Sequence, residues 1–168
     1  MHQIILCIVY AEDEEEALER AKKIFDEVIN EGEYDYYSTF DDTMAVQRWG
    51  KIKPVMEIME KEAIELLNEI WGAYIDNLKR ALTNIKASLD KNSFDELIED
   101  GAFRHECYIV GAYSGVYVRI YDNDGEGIRT LDHLRNAIEK WKNLYEKEEV
   151  TNPYENLKVF IVPADAHF

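Results

Sequence analysis

Residues 105–129 read HECYIVGAYSGVYVRIYDNDGEGIR, and the fold class turns on how they are taken. Two β-prone runs, residues 106–112 and 116–121, flank Ser114-Gly115, which suits a two-residue hairpin turn. Paired about that turn, Tyr108, Val110, Tyr117, Arg119 and Tyr121 fall on one face, and Cys107, Ile109, Gly111, Val116, Val118 and Ile120 on the other. The second face is a floor for helices. The first is aromatic with one cation, too apolar to be left open.

Upstream, residues 4–10 form a continuous apolar run of β-branched and aromatic types, the pattern of a strand buried on both faces. Acids at 12–16 follow, suited to a helix N-terminus. Ala17, Leu18, Ala21, Ile24, Phe25, Val28 and Ile29 then give one apolar stripe, stopped by Gly32. Residues 33–53 have no period and are rich in tyrosine, and Pro54 bounds them. From Val55 a helical pattern runs about 35 residues to Leu89. It is read as a packed core helix and not as a strict heptad coiled coil. Ser93 with Glu96 makes a capping box for a short helix ended by Gly101. Downstream of the acidic loop, Thr130 caps a helix lined by Leu131, Leu134, Ala137, Ile138, Trp141, Leu144 and Tyr145. Asn152-Pro153 turns the chain into a last strand, residues 157–162, ending at Pro163.

The expected fold is therefore α+β: a ferredoxin-like β-α-β-β-α-β antiparallel sheet carrying a large helical insertion, residues 33–104, between the first helix and second strand. The 168 residues make one domain. The insertion is expected to cover the tyrosine face and not to project as an arm.

A net charge of −16 disfavours nucleic acid and anionic membranes, whose phosphates the field repels. Abundant Glu and Lys with two Gln fit a thermophile. No signal peptide or membrane span is visible, so the expected setting is cytoplasmic. Cys7 and Cys107 are expected as reduced, buried side chains in strands.

Chemistry is thinly signed, with no G-x-S-x-G elbow, P-loop or HExxH. The loop Asp122-Asn123-Asp124-Gly125-Glu126-Gly127 resembles the start of a calcium loop, with a divalent cation conceivable at Asp122, Asp124 and Glu126. The match fails at the twelfth position, His133, where a bidentate Glu is required. An ordinary solvated turn is the favoured account. The segment 36–53 is the better candidate, because long ordered loops are often functional. Tyr36, Trp49, Lys51 and Lys53 could bind a ligand there, joined by Arg129, Tyr117, Arg119 and Tyr121 on the hairpin. If the chain is an enzyme, Asp41, Asp42, Arg48, Asp165 and His167 are the catalytic candidates, and the loop would have to meet the C-terminal tail. A frayed tail is the plainer alternative.

DYYSTFDD (residues 35–42), RWG (48–50), GEGIRT (125–130) and IVPADAHF (161–168) resemble segments of uncharacterised proteins of archaea and their mobile elements. The resemblance implies an archaeal, cytoplasmic setting and transfers no catalytic residue. The favoured function is a non-catalytic interaction or regulatory protein, partnered by itself as a homo-oligomer or by another protein. The alternatives are a small metal-dependent or acid–base hydrolase and an acidic nucleic-acid mimic.

Overall fold

The computed structural model describes residues 1–112, 118–145 and 156–167. The chain opens with β1 (His2–Ala11), α1 (Glu14–Asn30), β2 (Tyr36–Thr39), α2 (Thr43–Trp49) and β3 (Met56–Glu57). Three helices follow, α3 (Lys61–Lys91), α4 (Phe94–Glu99) and α5 (Gly101–Ala112), and then β4 (Ile120–Tyr121), α6 (Leu131–Tyr145) and β5 (Lys158–His167). The α+β class stands.

The sheet runs β2-β5-β1-β4, with β3 also paired to β5. It is mixed and not purely antiparallel: β5 is antiparallel to β1, β2 and β3, while β4 runs parallel to β1. In the split unit expected from sequence, the strand beside β1 would run against it. The first strand is central as expected. The second central place belongs to the last strand, β5, and β4 lies at the edge.

Alternation along β1 explains its doubly apolar sequence. Ile5, Cys7, Val9 and Ala11 join a core with Ala17, Ala21, Phe25 and Val28 of α1. Leu6, Ile8 and Tyr10 face the opposite way, against Ala63, Leu67 and Ile70 of α3 and Leu134 and Ala137 of α6. Two layers of helix on a shared sheet bury both faces of the strand.

Pro163 does not end the last strand, which continues to His167. Opposite it, Leu6 donates its N–H to Arg119. The main-chain polar groups of this pair therefore point away from one another, and the proline nitrogen faces the other side of β5. There β3 pairs at Phe160 and Ile161 and β2 begins only at Ala164. The missing donor falls in the gap between two partners, which is where a sheet tolerates proline.

The hairpin about Ser114-Gly115 is not formed as expected, because its first arm, residues 106–112, belongs to α5. Its turn, with Val116 and Tyr117, lies outside the described residues. A tighter reversal occurs one step later: Ile128 donates to Ile120, Asp122 donates to Glu126, and Tyr121 bridges Gly127. The tyrosine face is thereby dissolved. Tyr108 sits exposed on α5, Arg119 is half-buried beside the sheet, and Tyr121 is buried. Cys107 is exposed on α5, while Cys7 is buried as expected.

The long helix starts at Lys61 and not at Val55, because Met56 and Glu57 pair with β5. Its first half packs on the sheet through Ala63, Leu67 and Ile70. Its second half packs against α5, with Ala81 buried and Asn84 donating to Glu106. That half reaches beyond the sheet as an arm, contrary to the covering role expected of it. The capping box of Ser93 and Glu96 is present. Among the described residues no helix is long and apolar enough to cross a membrane.

Candidate functional site

Pairing of the first strand with the last sets His2 opposite His167, and β2 adds Tyr36 beside His167. Asp165 is 1% exposed, yet two elements, α2 and β1, supply it with three polar partners. Trp49 at the end of α2 donates its indole N–H to Oδ1 at 2.9 Å. Arg48 Nη1 donates to Oδ2. His2 Nδ1 lies 3.1 Å from Oδ1 and 2.8 Å from Arg48 Nη1. The helix that carries Arg48 and Trp49 starts where Asp42 accepts the N–H of Met44 at 2.9 Å, an N-cap. Above this buried carboxylate, the His167 ring stacks on Tyr36 at 4.8 Å and its Nδ1 meets Asp35 at 3.1 Å.

The segment 36–53 and the C-terminal strand thus do meet, and Arg48, Trp49, Tyr36, Asp165 and His167 share one neighbourhood. Asp41 and Asp42 stand apart. Asp41 pairs with Lys22 at 2.8 Å, and Asp42 is occupied as a cap. Asp165 is buried, and both of its carboxylate oxygens accept from donors. The tail is a central strand and not a frayed end. Sequence reasoning missed His2 and Asp35, whose roles follow only from the strand register.

The remaining candidates disperse. Lys51 and Lys53 line an apolar groove with Phe40, Ile52, Met56 and Leu66, and Lys53 pairs with Glu60. Arg129 is exposed. Tyr121 is buried and donates to Glu33 at 2.5 Å. Arg119 serves the sheet through its carbonyl, which accepts from Leu6.

A second site lies where the chain leaves β4. Strands β1 and β4 are adjacent and parallel, α1 after the first covers one face, and α6 after the second covers the other. Loops leaving such a pair diverge and open a crevice at the carboxyl ends of the strands, the usual ligand position in a wound sheet. Here Tyr10 at the end of β1 donates its N–H to Asn123 Oδ1 at 3.0 Å. A cleft of about 350 Å³ is bounded by Tyr10, Asp122, Asn123, His133, Asn136 and Lys140, among others.

The loop is shaped by its own residues. Asp122 Oδ1 accepts from the N–H groups of Asp124 and Glu126 at 3.0 and 2.9 Å. Gly125 takes φ +82°, and a Cβ on Gly127 would stand 2.7 Å from a methyl of Val118. Thr130 caps α6 by accepting the N–H of His133 at 3.1 Å. This brings His133 Nε2 to 3.1 Å from Asp122 Oδ2. One ligand atom each from Asp122, Glu126 and His133 lies within 4.8 Å of the others. Asp124 turns away to pair with Lys140 at 2.5 Å, holding that ammonium above its ordinary pKa chiefly through the shared hydrogen bond. Of the expected Asp122, Asp124 and Glu126, the first and last lie together with His133, and Asp124 lies with Lys140. Burial, with the nearby charges of Asp122 and Asp124, pushes Tyr10 up to about 12.

Nothing among curated proteins or solved structures matches the chain. A family model described as "Domain of unknown function (DUF7995)" matches residues 1–168, and the chain belongs to that family.

Proposed function

We propose that the protein is a non-catalytic binding protein that takes a divalent cation in the crevice between β1 and β4, through Asp122, Glu126 and His133. The observation that carries this reading is the convergence of their three ligand atoms within 4.8 Å at the carboxyl ends of parallel strands. Two ligands bound cis to one ion at about 2.1 Å stand about 3 Å apart, which the 3.1 Å between Asp122 Oδ2 and His133 Nε2 accommodates. Two carboxylates and an imidazole suit Mn²⁺ or Zn²⁺ better than Ca²⁺, which asks for six to eight oxygens. An ion there rivets the loop to the first turn of α6.

The non-catalytic part rests on occupancy of the acid–base candidates: Asp165, Asp41 and Asp42 all have partners that hold them. A metal-dependent hydrolase is the second reading, favoured by the cleft of about 350 Å³ opening beside the ligands. The nucleic-acid mimic loses ground because the acids lie on α1, α3, α4 and the 122–126 loop, over both faces of the sheet. A cytoplasmic setting fits the two free thiols.

Thermal unfolding with Mn²⁺ or Zn²⁺ tests the reading. At 100 times its dissociation constant an ion adds about 2.7 kcal/mol to stability, so the melting temperature is expected to rise. Glu126→Gln and His133→Gln should each abolish the rise. A wild-type melting curve that neither ion moves would remove the proposal. Mn²⁺-dependent turnover of a phosphodiester or ester, lost in His133→Gln, would favour the hydrolase.

A further inference from the structure

One ring nitrogen of His2 faces two neighbours that it can satisfy only one at a time. Its Nδ1 lies 2.8 Å from Arg48 Nη1, a donor, and 3.1 Å from Asp165 Oδ1, an acceptor. The neutral ring accepts from Arg48 when its proton sits on Nε2, toward the Tyr36 hydroxyl at 3.5 Å. Nδ1 then stands lone pair to lone pair against the carboxylate oxygen. The imidazolium reverses both contacts: it donates to Asp165 and sets N–H against N–H with Arg48. Arg48 also donates to Oδ2 of the same carboxylate, so the two side chains share one buried anion.

Charge around the ring weighs on the outcome. Facing His2 are Asp165 and His167 of β5, Arg48 of α2 and Tyr36 of β2. The His167 ring centre is 4.7 Å from that of His2, and His167 meets Asp35 at 3.1 Å and the Met1 amine at 3.2 Å. With both rings neutral, Arg48 is the side-chain cation beside the carboxylates of Asp165 and Asp35. With both protonated, three side-chain cations crowd the same two carboxylates, and the Met1 amine adds to them. Imidazole is the side chain whose charge changes between about pH 5 and 8.

Exposure decides which cation gives way. The side chains of Asp165 and His2 are 1% and 21% exposed, whereas that of Arg48 is 41% exposed and rehydrates at least cost. His2 and His167 are also held by the pairing of β1 with β5, while Arg48 sits in the last turn of the seven-residue α2. A second donor stands ready for the oxygen that Arg48 leaves. Ser38 is the cross-strand partner of Asp165, and its buried hydroxyl has no hydrogen-bond partner. Side chains paired in this way are about 5 Å apart at Cβ.

We propose that this cluster is an acid-operated latch on α2, in which protonation of His2 and His167 exchanges the Arg48 guanidinium for imidazolium on Asp165. In the neutral state Arg48 and Trp49 both tie the end of α2 to the sheet; in the acid state the Arg48 tie is released. This inference is independent of the cation site.

Urea unfolding of the full chain at about pH 8 and about pH 5 tests the latch. Arg48→Gln should lower the midpoint at the higher pH and not at the lower, where Arg48 no longer holds the carboxylate. In a His2→Gln background the loss caused by Arg48→Gln should be the same at both. An equal loss at both pH values in the otherwise unaltered chain, or a pH-dependent loss that survives His2→Gln, overturns the proposal. If His2→Gln disturbs folding, proton–nitrogen spectra of the unaltered chain carry the test. The Trp49 indole resonance, identified by its absence in Trp49→Phe, should move in step with the His2 ring as the pH falls. An indole resonance that stays fixed across this range overturns the latch as well.

Discussion

Trp49 donates its indole N–H to Oδ1 of Asp165 at 2.9 Å, tying the end of α2 to a central strand of the sheet. Arg48 and His2 complete the surroundings of that carboxylate. It does for the fold what a buried charge can do when donors meet it from several sides: it fixes one orientation of a short helix that has little apolar surface of its own.

Asp165→Asn tests this directly. The amide keeps one acceptor but turns N–H groups toward Arg48 or Trp49, so at least one charge-assisted bond is lost and one donor is opposed. Removing one partner of a buried pair commonly costs 3–5 kcal/mol, and bonds to a charged group 1.5–3 each. Because the Arg48 side chain is 41% exposed and can rehydrate, the expected loss is about 2–3 kcal/mol. Urea unfolding should show a lower midpoint with an unchanged slope. A midpoint within error of the wild type would mean that the carboxylate does not hold α2.

Gly127 makes a different demand. Its φ is not of the left-handed kind, so conformational freedom is not what the position needs. Space is: a Cβ would meet two methyls of Val118 at 2.7 and 2.9 Å, and Val118 is fully buried. Gly127→Ala is therefore expected to cost about 1–3 kcal/mol, the usual penalty for overpacking. Val118→Ala in the same chain should recover part of that loss, giving a coupling in a double-mutant cycle. Simple additivity of the two changes would refute the close approach as the cause.

The sequence was legible where a signal is local and not where it depends on distant pairing. The doubly buried β1, the stripe of α1, the Ser93–Glu96 box and the Thr130 cap are local signals, each decided within a few residues, and each is present. Residues 106–112 are rich in β-prone types, but they lie in a helix packed on α3, and such packing overrides a weak propensity. Nothing local told Pro163 that its nitrogen would face a gap between two strands. His133 looked like the flaw in a calcium loop because sequence spacing was judged against one ion, and the three-dimensional set of ligands was not visible. The cluster at Asp165 depends on pairing of the two ends of the chain, which no local pattern announces.

Alkaline titration gives a prediction with a definite sign. Burial pushes Tyr10, with help from the charges of Asp122 and Asp124, and also Tyr34, up to about 12. An unfolded phenol gives up its proton near 10. In both cases the folded state holds a proton that the unfolded chain releases. Their contribution to stability is complete below pH 10 and is lost as the pH rises toward 12. Denaturant unfolding from pH 9 to 12 should therefore show a falling free energy above pH 10. Tyr10→Phe deletes the hydroxyl that donates to the carbonyl of Ala137 at 2.6 Å, costing about 1 kcal/mol at neutral pH. In exchange it removes its share of the alkaline slope, so the two curves should converge as the pH rises. Parallel curves would show that Tyr10 ionises alike in both states, and that the crevice does not shield it.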